Sequence, residues 1–234
     1  MYGRMAPIPA RVVVLDALGT LVHFADPAPR LREGLERTLG VDVGEAAAAQ
    51  AIREEVAYYR DHLHEGADAA GLERVRGACA EVVVRSLGLR GAPTGLVLGV
   101  LLDSIRFEAY PEVRAVLSAL RANGLRLVVA SNWDVSLHEV LARTGLAPLL
   151  DGAVCSAEVG AAKPDPLPFR RALALVGETD PAAAWHVGDR LDEDVDGARA
   201  AGLTPVLLAR AGEPVPDGVR AIASLAELPP LLGG

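Results

Sequence analysis

The rhythm of apolar positions changes twice along the chain. Residues 12–15, Val-Val-Val-Leu, are apolar without alternation, the pattern of a parallel strand covered on both faces. The run stops on Asp16 and a Gly19-Thr20 turn, which predicts a strand over 11–16 that delivers Asp16 to a loop. In open α/β sheets, ligands gather at the carboxyl ends of such strands, although Asp16 taken alone could equally cap the turn. From 27 to about 106 the period becomes helical. Leu31, Leu35 and Leu39 at spacing four, an Ala-rich run over 45–63, and segments 71–87 and 94–105 predict four helices, punctuated by glycines over 40–44, 65–71 and 88–93. After Tyr110-Pro111, helix and strand alternate. A helix over 111–122 is closed by Asn123-Gly124, and a strand over 125–130 leads to a loop at 131–134. Ser136 with Glu139 reads as a capping box opening a helix that ends at Gly145. A strand at 153–155, a helix behind Pro164, Pro166 and Pro168, a strand at 184–187, a helix at 194–201 and a strand at 205–208 complete the order. Residues 1–10 read as a frayed tail.

Such alternation implies a doubly wound, Rossmann-like parallel sheet with helices on both faces. A parallel crossover needs only about 30 residues, yet the second strand of this sheet does not begin until residue 125. Residues 22–106 are therefore expected to form an inserted α-helical bundle domain, with 1–21 and 107–234 forming the α/β core domain. At 4% aromatic residues the core must be built from Leu, Val and Ala, and a chain of 234 residues is long enough to bury a sizeable one. A net charge of −8 without a basic stripe argues against nucleic-acid or anionic-membrane partners. No apolar run is long enough to span a bilayer, and Cys79 and Cys155 have no metal-ligand spacing, so a cytoplasmic protein is expected. Cys155, in an apolar run, reads as a small buried hydrophobe.

Polar residues collect at the predicted strand ends: Asp16, Ser131 and Asn132, Lys163, and Asp189 with Asp194 in Gly188-Asp-Arg-Leu-Asp-Glu-Asp194. Lys163 stands out because it is the only lysine against 22 arginines. A compact ammonium suits a tight anionic site that a planar guanidinium would not fill. Asp192, Glu193 and Asp196 read as solvated or helix-capping. If Asp16, Asp189 and Asp194 converge, three carboxylates face one lysine, an arrangement costly to ionise unless a cation joins it. A divalent ion brings those groups to formal neutrality, and an all-oxygen donor set favours Mg²⁺ over zinc.

These motifs, in this order, resemble those of the haloacid dehalogenase superfamily, in the type with a helical cap inserted after the first motif. Asp16-Ala-Leu-Gly-Thr20 resembles the nucleophile motif, Ser131-Asn132 the second, Lys163-Pro-Asp-Pro166 the third, and Gly188-Asp189 with Asp194 the acidic fourth. The resemblance implies covalent catalysis by Asp16, with Ser131 and Lys163 binding the transferring group and Asn132, Gly19 and Thr20 contacting substrate. It further implies Mg²⁺ on Asp16, the Leu18 backbone carbonyl and Asp189, and Asp194 is expected as a further metal residue. The substrate would be a small phosphate ester. One position departs from the pattern: family phosphatases carry an aspartate two residues after the nucleophile, where this chain has Leu18. Haloacid dehalogenases also lack an acid there and need no metal, so a 2-haloacid dehalogenase is the alternative, although their fourth motif has an uncharged Ser-Asn in place of Gly188-Asp189. A phosphate-binding or regulatory protein without turnover is a third reading that Leu18 allows.

The inserted domain would close over the site and choose the substrate. Its densest polar patch runs from Tyr58 to Glu65, where packing explains the residues as well as recognition does. His23 and Phe24 could touch a leaving group or pack a hinge. His138 reads as helix surface, and Trp185 and His186 as core. No glycine loop of the nucleotide-binding type occurs. The oligomeric state cannot be read from the sequence.

Overall fold

The structure, a computed structural model, describes residues 10–210, 212 and 214–232. Of the tail expected over 1–10, only residue 10 lies among them. The chain divides into two compact units. One comprises the chain up to His23, Ala109–Asn132 and everything from Leu137 on; the other is Phe24–Glu108 with the tetrapeptide Trp133–Ser136. That tetrapeptide, expected in the core domain, groups with the helices.

In chain order the elements are β1 (Val12–Leu15), β2 (Val22–Ala25), α1 (Ala28–Leu39), α2 (Glu45–His62), α3 (Ala69–Ser86), α4 (Thr94–Ser104), β3 (Arg106–Ala109), α5 (Val113–Ala122) and β4 (Arg126–Ser131). Then follow α6 (Leu137–Arg143), β5 (Gly152–Cys155), α7 (Ser156–Val159), α8 (Leu167–Leu175), β6 (Ala184–Gly188), α9 (Asp196–Ala201), β7 (Thr204–Leu208), β8 (Ala221–Ile222) and α10 (Leu228–Leu232). The first unit is built on a six-stranded sheet in the order β5-β4-β1-β6-β7-β8, parallel throughout. Strand β1 sits between β4 and β6, with Leu15 in register with both Val129 and Val187. This is the point where the strand order reverses, and it brings the carboxyl ends of three strands together. The unbroken apolar run of β1 is explained by its position: Val12 and Val14 pack with Val128, Ala130, Phe169 and Leu173 on one face, and Val13 and Leu15 are equally buried on the other.

The second unit is a bundle of α1 to α4 around Leu31, Leu35, Ala48, Ala51, Val75, Val83, Val97 and Leu101. Gly34 matters here, because a Cβ at that position would lie 2.5 Å from Cγ1 of Val100, so its absence lets α1 approach α4. Strands β2 and β3 pair as a two-stranded ribbon where the chain passes between the units. The periodicity shows neither strand, because each is four residues long with polar and apolar positions mixed. The helix expected from residue 194 begins instead as a π-helical turn, Leu191–Val195, and becomes regular only at Asp196. Strand β8, at the edge of the sheet, and α10, which packs on α5, are additions that the pattern does not reveal. Among the described residues, no helix is long and apolar enough to cross a membrane.

Gly34 yields a prediction with an internal control. Alanine normally stabilises a helix interior over glycine by about 1 kcal/mol. Gly77→Ala in α3, where a Cβ meets nothing within 4 Å, is expected to raise the melting temperature. Gly34→Ala is expected to lower it despite the same gain in propensity, because Val100 must move, at a cost of about 1–3 kcal/mol. Thermal unfolding of the two variants side by side checks this.

Candidate active site

Four loops meet at the reversal point. Asp16 follows β1 and is tied to the neighbouring strand by its amide, which donates to the Val187 carbonyl at 2.9 Å. Ser131 ends β4 and its hydroxyl donates to Asp16 Oδ1 at 2.9 Å. Lys163, buried in the loop between α7 and α8, donates from Nζ to the same Oδ1 at 2.7 Å and to Asp194 Oδ1 at 2.6 Å. Ligand oxygens of Asp16, Asp189 and Asp194 all lie within 4.8 Å of one another. The expected convergence of three carboxylates on one lysine is thus present in the geometry.

The surroundings explain how such a cluster is held. Asp194 projects from the π-helical turn, an irregularity frequent at functional sites. Its Oδ1 also receives His186 Nε2 at 2.9 Å, and its Oδ2 accepts from the Arg190 amide at 2.9 Å. An ionised carboxylate only accepts, so the imidazole proton sits on Nε2. His186 is therefore more than the core residue expected from its strand: it is fully buried, edge-on to Phe169, and it orients Asp194. Gly188 has to be glycine, because a Cβ there would collide with the Asp194 carboxylate.

Asn132 turns its amide to the loop that carries Lys163. Its Oδ1 accepts from the Lys163 amide at 2.7 Å, while Nδ2 donates to the Lys163 carbonyl at 3.0 Å and to Glu193 Oε2 at 2.7 Å. The side chain is spent on fixing the backbone that carries the lysine. Glu193, expected to be solvated, is half-buried as its partner. Thr20 is fully buried, and its hydroxyl has no hydrogen-bond partner among the described residues. Gly19, with φ +82°, is needed for clearance, since a Cβ there would strike the Asp189 carboxylate. The carbonyls of both residues are gripped by Arg210, through Nε to Gly19 at 3.1 Å and Nη2 to Thr20 at 2.8 Å. Arg210 also pairs with Glu112 at 2.6 Å and lies over the Tyr110 ring. No sequence signal marks it among so many arginines; only the fold brings it under the Asp16 loop. His23 packs against Tyr110, in keeping with a hinge role. Leu18 is 37% exposed, so the position where an acid is missing opens to solvent.

The electrostatics divide the acids. Burial works against ionisation of Asp194, but the Lys163 charge and then the His186 hydrogen bond prevail and hold its carboxyl below the usual range. Burial raises Asp16, and the negative charge of Asp194 adds to that, while Lys163 and Ser131 oppose it. Asp189 sits at the open rim, yet partial burial, followed by the charges of Asp16 and Asp194, pushes it up to about 7. Lys163 loses solvation on burial, but the two carboxylates raise its pKa above the ordinary value. One cation is thus shared among more negative charge than it can neutralise. The oxygen-only donor set fits a hard divalent cation such as Mg²⁺. Both Asp194 oxygens already accept hydrogen bonds, so direct ligation falls first to Asp16 and Asp189.

A parallel sheet whose order reverses at β1, with a lysine-bridged pair of aspartates at its carboxyl edge, defines a doubly wound α/β core with a charged site at its switch point. The sequence profile of the haloacid dehalogenase-like hydrolases matches residues 10–202, and the chain belongs to that family. It is similar to the mouse haloacid dehalogenase-like hydrolase domain-containing protein 3, at 30% identity over 221 residues covering 90% of this chain and 86% of the relative. It is also similar to the phosphoserine phosphatase of Thermus thermophilus, at 41% identity over 110 residues, 47% of this chain and 44% of that protein. Among solved structures, the 2-haloacid dehalogenase of Pseudomonas syringae shares the fold, with a TM-score of 0.66 and 24% identity over 96% of this chain and 98% of that one.

Asp189 carries a pH signature. Its folded-state pKa lies above the ordinary 3.8, so its ionisation destabilises the metal-free fold progressively as pH rises from about 4 through about 7. In chelator-treated protein, Asp189→Asn is expected to raise the melting temperature above pH 7 and to leave it unchanged near pH 4. Melting curves of both proteins across that range check the sign.

Proposed function

We propose that this hydrolase is a Mg²⁺-dependent phosphatase acting on small phosphate monoesters, with Asp16 as covalent nucleophile. The observation that carries the reading is the third carboxylate. Asp189 stands within 4.8 Å of Asp16 and Asp194 with only Lys163 to offset them, a surplus of negative charge that suits a bound cation. Asp16 and Asp189 would hold the ion, together with the Leu18 carbonyl. When bound, it would supply positive charge against the oxygens of the transferring phosphoryl group. The named phosphatase among the relatives supports the same class.

The protein's own residues divide the work. Ser131 and Lys163 both donate to Oδ1 of Asp16, which leaves Oδ2 to attack phosphorus while the ester P–O bond breaks. The same hydroxyl and ammonium then hold the oxygens of the phosphoryl group on Asp16 until water cleaves the acyl phosphate and returns the carboxylate. Asp194, His186 and Asn132 keep Lys163 in place throughout. Leu18 supplies no proton to the departing alkoxide, and general acid–base help is worth about 10²–10⁴ in rate. Turnover should therefore be fastest on esters with good leaving groups.

Leu18 also favours a second reading, a 2-haloacid dehalogenase in which Asp16 displaces halide and no proton is required. A screen of phosphate esters and 2-haloacids, each with Mg²⁺ and with EDTA, separates the two. The expected result is Mg²⁺-dependent phosphate release that vanishes in Asp16→Asn; metal-independent halide release would establish the alternative. Replacing the solvent-open Leu18 by Asp tests the missing acid. For a phosphatase, kcat/KM should rise by at least about tenfold on alkyl phosphates and little on aryl phosphates, within the range general acid catalysis supplies. No rise on any ester would remove the explanation offered here for Leu18.

A further inference from the structure

The first unit holds a second group of potential ligands, chemically unlike the acidic cluster. His138 on α6, Cys155 at the end of β5 and Glu158 on α7 each offer one atom, and those atoms lie within 4.8 Å of one another. The imidazole Nε2 is 2.9 Å and the Cys155 sulfur 3.0 Å from the same oxygen, Glu158 Oε2. The fold assembles them for simple reasons. Strand β5 ends on Cys155, in register with Ser131, and the single turn of α7 then returns Glu158 over it. Cys155 is buried, whereas His138 and Glu158 are exposed, so the group is reached from solvent on their side. The sequence reading kept these residues apart, taking His138 as helix surface and Cys155 as a small hydrophobe. Seventeen positions separate the imidazole from the thiol in the chain, and no short motif joins them.

We propose that His138, Cys155 and Glu158 bind a divalent d-block cation of the zinc class, with a fourth position open to water. A thiolate and an imidazole beside one carboxylate are a borderline-soft donor set, which selects such ions over Mg²⁺. The charge closes: the thiol S–H bond breaks, a sulfur–metal bond forms, one proton leaves to solvent, and the dication is balanced by thiolate and carboxylate. Zinc–ligand distances of about 2.0–2.3 Å put neighbouring ligand atoms slightly over 3 Å apart. The two hydrogen-bonded contacts to Glu158 would open by about half an ångström on that geometry, and the imidazole and thiol stand within 4.8 Å of each other. Bound metal would join α6 to α7, the short helix that runs into the loop carrying Lys163. The site does not depend on the phosphatase reading, since none of its ligands belongs to the acidic cluster.

The test uses Co²⁺ as a spectroscopic stand-in, titrated into the whole chelator-treated chain with Mg²⁺ in excess. A thiolate ligand produces a near-ultraviolet sulfur-to-cobalt charge-transfer band, which carboxylates at the acidic cluster cannot. The expected result is a band that saturates at one equivalent and is absent in Cys155→Ser. Co²⁺ affinity should fall by at least about tenfold in His138→Gln and in Glu158→Gln. Because those two side chains are exposed, their variants carry the test even if Cys155→Ser fails to fold. Asp16→Asn and Asp189→Asn should keep the band. The proposal is overturned by the absence of a band in the wild-type chain, by its persistence in Cys155→Ser, or by undiminished affinity in both His138→Gln and Glu158→Gln.

Discussion

The ammonium of Lys163, held between Asp16 at 2.7 Å and Asp194 at 2.6 Å with all three side chains nearly free of solvent, is the contact on which the site depends. Removing three charges from water is expensive, and the cost is recovered only when geometry and additional hydrogen bonds are in place. Much of the neighbourhood serves that end. Asn132 grips the lysine backbone from both sides, His186 shares Oδ1 of Asp194 with the ammonium, the Arg190 amide holds Oδ2, and the π-helical turn carries that carboxylate. Losing either contact to Asp194 leaves a buried carboxylate short of a partner, which costs more than the hydrogen bond itself contributes.

The same arrangement leaves the cluster electrostatically incomplete. Lysine settles the ionisation of Asp194, while Asp16 and Asp189 are both pushed upward. A bound cation would relieve that surplus and favour Asp16 as an anion. On the proposed reading, an apolar Leu18 beside Asp16 would combine the charge distribution of a metal-assisted phosphoryl transfer with the proton economy of a halide displacement. Its substrate preference should lie with good leaving groups.

The helical unit has buried polar groups of its own. Tyr59 donates to Asp134 at 2.9 Å, and Val135 donates from its amide to the Gly66 carbonyl. Burial, with the neighbouring charge of Asp134 second, raises the Tyr59 hydroxyl well above its ordinary value, so it stays a donor. Within the patch from Tyr58 to Glu65, Tyr59 is thus committed to structure, and Tyr58 stacks on His62 at 3.9 Å. Glu55, also buried and raised by desolvation, interacts with Cys79. The residues held by Tyr59 follow directly after Ser131 and Asn132 in the chain, so the second motif is covalently continuous with a segment anchored among the helices.

Local pattern alone determined the sheet strands β1 and β4 to β7, the four inserted helices, the strand-end positions of Asp16, Ser131 and Asp189, and Lys163 as a singular residue in a loop. Each follows from hydrophobic period, turn chemistry or an unusual residue choice, all properties of neighbours in sequence. Tertiary structure decided what those properties cannot carry. The β2–β3 ribbon has too few residues to show a period, and the π-helical turn carries no signature in composition. Asn132 was legible as a site residue, yet its amide turned to the Lys163 backbone. Thr20 was drawn into the interior, and Gly19 proved to be clearance for Asp189. Arg210, His186 and the grouping of His138 with Cys155 and Glu158 exist only because distant segments are folded together. Hydrogen bonds and ion pairs select their partners by distance and direction, and neither is encoded in the spacing of residues along the chain.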